Sequence, residues 1–337
     1  MDWRVTIGSA HSSGVEAAPA ALCDNRPLRA APARVRLPMR RTTRLKELIA
    51  SPRIVVMPGV HDALGARLAE AAGFEALTQG GYSATASLLG APDSSQLSLT
   101  EMSQMYSRLA DATALPILAD ADTGFGNVTN VARTVRLYEK AGVAGLFLED
   151  QVFPKRCGHM AGKAVVPTAE WLAKIKAALD ARVDPDLVVM ARTDALAVHG
   201  LDDAIERAQL AREAGADLLF VEAPTDVAQM RRICREVPGP CLANNVEHGR
   251  TPVLPAAELE AIGYSAVVFP VAATYAVAHA LRSLYATLRR TGTTAEAASS
   301  LVTFDEFNEL VGLSAQRRRE AHLTEDAEAQ VARHPRS

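Results

Sequence analysis

The sequence predicts an α/β protein whose eight strand–helix units form a (β/α)₈ TIM barrel, followed by an extra helical segment at the C-terminus. From Thr42 onward, short apolar runs of strand length alternate with amphipathic stretches that carry apolar residues at helical spacing. Eight such units in roughly 230 residues match the usual size of this barrel. Glycine also ends four predicted helices just before a strand, at Gly73, Gly142, Gly215 and Gly263.

The eight predicted strands are apolar runs between polar turns. In chain order they are RIVVM (53–57), EALTQ (75–79), PILAD (116–120), AGLFLE (144–149), LVVMAR (187–192), DLLFVEA (217–223), PCLANN (240–245) and SAVVFP (265–270). A long helix is predicted at about 271–291, and a separate helical segment from Phe304 to about Ala321. The alternative, an open doubly wound sheet, usually carries GxGxxG after its first strand, whereas this chain has MPGVHDAL there.

Residues 1–41 differ in composition from the rest, with seven arginines against three acidic residues and no sustained periodicity. We interpret them as a disordered extension, or as an over-extended gene start with Met39 as the true initiator. An organelle-targeting segment is a further alternative, because such segments are rich in arginine and poor in acids. The barrel is then predicted at 42–291, and the C-terminal helical segment and tail at 292–337.

Composition and charge exclude several classes of protein. Hydrophobic residues make up 48% and charged residues 22% of the chain, which is typical of a globular protein. The formal net charge of -3 predicts no nucleic-acid partner. No apolar run reaches the roughly 18 residues that span a bilayer, and the N-terminus lacks the order of a secretory signal, so we expect a cytoplasmic protein without membrane contact. The four cysteines show no CxxC spacing.

Polar side chains stand at the ends of successive predicted strands, where a barrel keeps its active site. A single acidic residue there often caps the next helix, but polar ends on strands two to seven predict one shared site. These residues are Gln79 to Tyr82, Asp120, Asp122, Glu149, Asp150, Arg192, Asp194, Glu222, Asn244 and Asn245.

The third strand suggests a metal site. Asp120 and Asp122 are two residues apart on an extended chain, so both carboxylates can point the same way, and Glu149 ends the adjacent strand. Oxygen ligands without His or Cys suit Mg²⁺ or Mn²⁺. The alternative is that Asp122 caps the following helix. Gly124 and Gly126 are expected to form a tight loop that lets a ligand approach the backbone.

The segment KRCGH, from Lys155 to His159, follows the fourth strand. Cys157 lies two residues from both Lys155 and His159, which we expect to lower its pKa and make its proton transferable. The alternative is a surface loop with an uninvolved thiol.

The chain resembles the isocitrate lyase and phosphoenolpyruvate mutase superfamily from about Arg44 to Leu313. The matching stretches are GVHDALGARLAEAAGF, LLGAPD, DADTGFGN, EDQVFPKRCGHMAGKAVVP, ARTDALAVHGLDDAIERA, LFVEAP and TFDEFNEL. The KRCGH loop is similar to that of the branch that breaks carbon–carbon bonds. The resemblance implies a Mg²⁺-dependent barrel enzyme acting on small 2-oxo or 2-hydroxy carboxylates, and a homotetramer whose terminal helix is swapped between subunits.

Roles follow from the resemblance position by position. Asp120 and Asp122 resemble the metal-binding acids, while Asp93 and Glu149 would hold metal-bound water. Lys155 would orient the substrate, and Cys157 would be the catalytic acid. The residues expected to line the pocket or bind substrate are Gly80, Gly81, Tyr82, Gly158, His159, Arg192, Glu222 and Asn244. The general base is unassigned, with Tyr82 as a candidate.

Two departures bear on the substrate. Methylisocitrate lyases carry SGG at strand two, where this chain has Gly80, Gly81 and Tyr82. They also carry an arginine after strand eight that binds a third carboxylate, and Tyr275 occupies the corresponding position. Because a buried carboxylate without a partner is costly, we expect a 2-alkylmalate such as 2,3-dimethylmalate, cleaved to pyruvate and a monocarboxylate. The alternatives are 2-methylisocitrate cleavage, oxaloacetate hydrolysis or decarboxylation, and a carboxylate-binding barrel without activity.

Overall fold

The computed structural model describes residues 39–160 and 162–334. The predicted N-terminal extension therefore lies outside the described residues as far as position 38. Its last residue, Arg41, begins the first helix, α1 (Arg41–Ala50).

All eight predicted strands are present, each within about two residues of the expected limits. They are β1 (Val55–Pro58), β2 (Leu77–Gln79), β3 (Ile117–Asp120), β4 (Gly145–Glu149), β5 (Val188–Thr193), β6 (Leu218–Val221), β7 (Leu242–Asn244) and β8 (Ala266–Phe269). The runs of Val, Ile and Leu are buried on both faces, as parallel strands covered by helices require.

The strands pair in parallel in two sheets, ordered β1-β8-β7 and β2-β3-β4-β5-β6. Single parallel bridges link the sheets, between Gly59 and Thr78 and between Leu219 and Cys241. These bridges place β1 beside β2 and β6 beside β7, so the strands follow the order predicted for the (β/α)₈ fold. The two junctions carry isolated bridges in place of a continuous ladder.

Helices alternate with the strands. They are α2 (Ala63–Ala71), α3 (Gly81–Leu89), α4 (Leu99–Ala112), α5 (Val128–Ala141), α6 (Thr168–Ala181), α7 (Leu201–Glu213), α8 (Val227–Glu236), α9 (Ala256–Ile262) and α10 (Ala272–Thr291). Short 3₁₀ turns lie at Ala195–Ala197 and Ala295–Ser300. Capping boxes at Ser98 and Asn127 satisfy the first N–H groups of α4 and α5. The four predicted glycines have positive φ, such as +85° at Gly142, which ends α5.

The hydrophobic core has two parts. Between strands and helices lies one cluster that includes Tyr106, Tyr138 and Trp171, all fully buried. The other cluster fills the inside of the barrel, where Leu45 and Leu48 of α1 pack with strand residues. Helix α1 therefore contributes to the interior cluster, and the C-terminal ends of the strands carry the polar residues.

The C-terminal segment differs from the prediction. It begins at Phe304 as expected, but it forms two helices, α11 (Phe304–Leu310) and α12 (Leu313–Ala332), separated at Gly312 with φ +87°. The predicted end at Ala321 is wrong because the acidic and alanine-rich sequence beyond it continues the helix to Ala332. Within the described chain, no residue of α10, α11 or α12 is buried. No helix in the described part is long and apolar enough to cross a membrane.

Candidate active site

The C-terminal ends of the strands surround a cavity of about 350 Å³. Twelve of the fourteen residues predicted for the site line it: Gly80, Gly81, Tyr82, Asp93, Asp120, Lys155, Cys157, Gly158, His159, Arg192, Glu222 and Asn244. The other two, Asp122 and Glu149, contact lining residues, Lys155 at 3.1 Å and Arg192 at 3.3 Å.

Two buried tyrosines, which the sequence analysis did not identify, form hydrogen bonds with the backbone of Asp120. Tyr138 Oη donates to the carbonyl oxygen of Asp120 at 2.8 Å, and Tyr106 Oη accepts from its N–H at 2.7 Å. The carboxylate accepts hydrogen bonds from the N–H groups of Gly81 at 2.7 Å and Asp122 at 2.8 Å. Asp120 is therefore held with both oxygens in defined positions. No motif in the sequence indicates these hydrogen bonds.

Lys155 lies at the centre of the predicted metal-binding acids. Its Nζ is 2.8 Å from Asp93 Oδ2, 3.1 Å from Asp122 Oδ1 and 3.9 Å from Asp120 Oδ2. Burial disfavours the ammonium, but the surrounding carboxylates outweigh it and hold the Lys155 pKa well above its ordinary value. Burial raises the pKa of Asp122 to about 6, although Lys155 opposes the shift.

Glu149 is a buried acid that lies 3.3 Å from Arg192. Burial raises its pKa well above the ordinary value, although Arg192 opposes the shift. Neither of its carboxylate oxygens has a hydrogen-bond partner among the described residues, and Glu149 is 1% exposed. Unpaired buried oxygens and hard oxygen donors fit a divalent cation with its water. Within residues 39–160 and 162–334, no group of three or more His, Cys, Asp or Glu side chains is arranged to hold a metal ion.

The alternative role for Asp122 is excluded, because Asn127 caps α5 through its side chain. Gly124 and Gly126 lie in a tight loop, as expected. Both have positive φ, and a Cβ at Gly124 would lie 2.4 Å from Val131 and one at Gly126 would lie 2.4 Å from Asn130. The glycines also allow the loop to pack on α5, and the approach of a ligand to its backbone stays a prediction.

The catalytic loop, defined here as residues 150–167, carries KRCGH between β4 and α6. Its two arms pair at the base: Gln151 forms an antiparallel bridge with Val165, and the N–H of Val152 donates to the Ala164 carbonyl at 2.8 Å. Within the loop, the Gln151 amide bonds the backbone of Arg156 in both directions. This base holds the loop tip over the cavity.

The Cys157 thiol behaves differently from the expectation. Burial raises its pKa, and the carboxylates of Glu222 and Asp93 add to the rise, while the His159 N–H and Arg192 oppose it. The predicted lowering is wrong because the fold buries the thiol and brings the carboxylates of Glu222 and Asp93 near the sulfur. A protonated thiol suits proton donation better than nucleophilic attack.

Arg192 joins the acidic side chains of three strands. Its Nε and Nη2 donate to Asp194 at 3.0 and 3.3 Å, and its guanidinium contacts Glu149 at 3.3 Å and Glu222 at 3.2 Å. The Asn244 amide donates to Glu222 at 3.2 Å. The three substrate-binding residues predicted on strands five to seven therefore lie in one connected network.

The His159 ring has a defined tautomer. The N–H of Arg250 donates to Nδ1 at 3.0 Å, so Nδ1 is an acceptor and Nε2 carries the hydrogen of the neutral ring. Nε2 is 3.3 Å from Glu222 Oε1. Burial opposes ionisation of Glu222, but Arg192 and His159 outweigh it and lower the Glu222 pKa to about 2. Arg192 thus places positive charge, and His159 an N–H group, at one side of the cavity.

Tyr82 and Tyr275 form another wall of the cavity, which is aromatic. Their rings are 6.2 Å apart in an edge-to-face arrangement, and Tyr275 Oη lies 3.5 Å from Tyr82 Oη. Burial and the neighbouring hydroxyl raise the Tyr275 pKa well above its ordinary range, so this hydroxyl stays neutral.

Comparison with known proteins identifies the family. The family model described as phosphoenolpyruvate phosphomutase matches residues 45–289. The chain belongs to the phosphoenolpyruvate mutase and isocitrate lyase superfamily. The 2,3-dimethylmalate lyase of Eubacterium barkeri is 48% identical over 275 residues, which cover 82% of this chain and 95% of that protein. The 2-methylisocitrate lyase of Aeropyrum pernix is 42% identical over 293 residues, covering 87% and 94%.

Solved structures of this superfamily share the fold. The oxaloacetate acetylhydrolase bound to the inhibitor 3,3-difluorooxalacetate has a TM-score of 0.81 and 36% identity, covering 84% of this chain and 97% of that one. A phosphonopyruvate hydrolase complex with oxalate and Mg²⁺ has a TM-score of 0.77 and 33% identity, covering 84% and 99%. The predicted superfamily, barrel-type fold and lyase class are confirmed.

Proposed function

We propose that the protein cleaves the C2–C3 bond of a 2-alkylmalate, such as 2,3-dimethylmalate, to pyruvate and a monocarboxylate. The observation that carries the proposal is the Cys157 thiol, whose pKa is raised by burial and which lines one cavity with Arg192, His159 and the acids around Lys155. This combination supplies a proton donor, carboxylate-binding groups and oxygen ligands in a single site.

Substrate binding uses the two sides of this cavity. Arg192 donates two hydrogen bonds to Asp194 and contacts Glu149 and Glu222, and the side of its guanidinium that lines the cavity would receive a substrate carboxylate. Gly158 and His159 supply further N–H groups beside it. Lys155, held by its acids, orients the 2-hydroxy acid end of the substrate.

A divalent cation would be held by Asp120 and Asp122 directly, and by Asp93 and Glu149 through water. When bound, Mg²⁺ or Mn²⁺ supplies positive charge that stabilises the oxygen of the 2-oxo product. Tyr106 and Tyr138 keep the Asp120 backbone in place for this role. Support comes from the unpaired oxygens of Glu149 and from the Mg²⁺ in the phosphonopyruvate hydrolase structure.

In the reaction, the side chains of this protein transfer protons to and from the substrate. A base, for which Tyr82 remains the candidate, takes the proton of the 2-hydroxyl group. The C2–C3 bond then breaks, C2 becomes the carbonyl of pyruvate, and the electron pair stays on C3, where the adjacent carboxylate stabilises it. Cys157 gives its thiol proton to C3. The proton taken from the hydroxyl restores the thiol, so no net proton is consumed.

The alkyl specificity is assigned to Tyr82 and Tyr275. Their rings offer apolar surface to the substrate's alkyl group, and neither side chain supplies a positive charge for a third carboxylate. This arrangement favours a dicarboxylate over the tricarboxylate 2-methylisocitrate.

The test is a lactate dehydrogenase-coupled assay with Mg²⁺, which measures pyruvate release from 2,3-dimethylmalate, citramalate and 2-methylisocitrate. Oxalate release from oxaloacetate is followed separately. Preference for the malates with loss of activity in EDTA supports the proposal. Preference for 2-methylisocitrate overturns the substrate assignment, oxalate alone makes the protein a hydrolase, and no turnover of any of them overturns the lyase assignment.

We also propose that the protein is a cytosolic homotetramer in which the C-terminal helices pack on a neighbouring subunit. Support comes from apolar side chains on α10 to α12 and their connections that are exposed in the single chain: Tyr285 (60%), Val302 (64%), Phe304 (83%) and Leu323 (56%). Light scattering coupled to size-exclusion chromatography tests the proposal, and a monomer at micromolar concentration would overturn it.

A further inference from the structure

Lys163 is a buried lysine of the catalytic loop that has no part in the reaction described above. Its side chain is 2% exposed. The Nζ group donates to the Gly158 carbonyl oxygen at 2.5 Å and to Asp194 Oδ1 at 2.7 Å. Gly158 is at the loop tip, whereas Asp194 follows β5. Lys163 therefore joins the tip of the loop to the wall of the barrel.

The anchor on the barrel side is rigid. The Asp194 N–H donates to Asp150 Oδ1 at 2.8 Å, and Asp150 also accepts from Thr193 Oγ1 at 2.6 Å and from Arg207 at 3.2 Å. The Asp194 side chain is fully buried. A carboxylate held in this way cannot follow a loop that moves, so the lysine sets the distance between tip and barrel.

The same carboxylate also orients Arg192, which donates to it from Nε and Nη2. One acidic group thus fixes both the substrate-binding guanidinium and, through Lys163, the segment that contains Cys157. Asp194 therefore sets the position of the Arg192 guanidinium relative to the segment that contains Cys157.

We propose that Lys163 is a positioning residue that sets the location of the Cys157 thiol by fastening the Gly158 carbonyl to Asp194. This inference rests on the proposed lyase function for its kinetic consequence. A misplacement of about 1 Å in a reacting group costs about 10²-fold in rate. Lys163→Met should therefore lower kcat by about 10²-fold and change KM by less than about threefold, since the substrate-binding side chains remain.

A readout independent of the substrate is alkylation of Cys157 by iodoacetamide, measured by mass spectrometry of the peptide that contains it. Loosening the tip should expose the thiol and raise its alkylation rate by about tenfold in Lys163→Met. Cys241, which is buried and lies outside the loop, serves as the internal reference for general unfolding. Lys163→Arg keeps the charge and should restore most of the protection and the rate. Lys163→Gln provides a second uncharged variant should Lys163→Met not fold.

Arg182→Met is the matched control, because Arg182 also joins a carboxylate to a backbone carbonyl, Asp217 at 2.7 Å and Leu187 at 2.8 Å, away from the loop. It should lower the melting temperature without changing Cys157 alkylation. Equal alkylation of Cys157 in wild type and both uncharged variants, or an equal rise in Arg182→Met, would overturn the inference. If wild-type protein cleaves no dicarboxylate, the proposed function fails while the alkylation comparison still decides the role of Lys163.

Discussion

Replacing Gly158 with alanine is the most direct test of the site geometry. An added Cβ would lie 2.5 Å from Arg192 Nη2 and 2.6 Å from both Cγ and Cδ of Glu222. Distances below 3.0 Å essentially do not occur for a real Cβ, so either the loop or the guanidinium has to move. The guanidinium is held by Asp194, Glu149 and Glu222. The loop tip should therefore be the part that is displaced.

The expected magnitude follows from this contact. Overpacking of this kind costs about 1–3 kcal/mol of stability, which a protein of this size should survive as a folded chain. A retreat of the tip by about 1 Å would misplace the neighbouring Cys157 thiol and lower kcat/KM by about 10²-fold. The effect on activity should thus exceed the effect on folding.

The assay compares Gly158→Ala with Gly80→Ala, using pyruvate release and thermal melting. A Cβ at Gly80 has Asp120 Oδ2 as its nearest neighbour at 3.9 Å, which is ordinary contact. Gly80→Ala should accordingly keep activity within about fivefold of wild type. If Gly158→Ala retains wild-type kcat/KM, or if both variants lose activity equally, the argument from close approach is refuted.

Three further outcomes are expected. Cys157→Ser should lower kcat by about 10²–10⁴-fold, the range attributed to a general acid, with unchanged melting temperature; a rate near wild type would remove the acid role. Tyr275→Arg should raise the ratio of 2-methylisocitrate to 2,3-dimethylmalate cleavage, and an unchanged ratio would show that another group governs selectivity. Because burial raises the Cys157 pKa above its ordinary value, the thiol stays protonated at neutral pH, and its alkylation rate should keep rising with pH into the alkaline range; a rate that levels off near neutral pH would contradict the assignment.

The fold was predictable because its signals are local. Each strand is a short apolar run, and glycines such as Gly142 and Gly263 end helices where a left-handed residue is needed. Acids at successive strand ends predicted a common site because parallel strands in a barrel all point their C-terminal ends the same way. These inferences need only residues that are close in the sequence.

The error within the candidate site concerns groups that are distant in the sequence. The expected pKa of Cys157 was drawn from its near neighbours Lys155 and His159, but burial of the thiol in the folded chain and the carboxylates of Glu222 and Asp93 raise it. Lys163 and Asp194 are 31 residues apart, and the N–H that fixes the His159 tautomer comes from a position 91 residues away. Such contacts depend on loop conformation, for which the sequence carries no periodic signal.

The division of the strands into two sheets places most of the proposed proton-transfer groups with one sheet and part of the substrate-binding wall with the other. The five-stranded sheet and its loops provide the acids, the thiol and the guanidinium, whereas the three-stranded sheet contributes Asn244 and leads into α10 with Tyr275. A library of variants aimed at new substrates can therefore begin with residues 246–248 and with position 275, where Tyr275 contacts the candidate base Tyr82. The single bridges at the two junctions mean that such changes disturb few hydrogen bonds of the catalytic half.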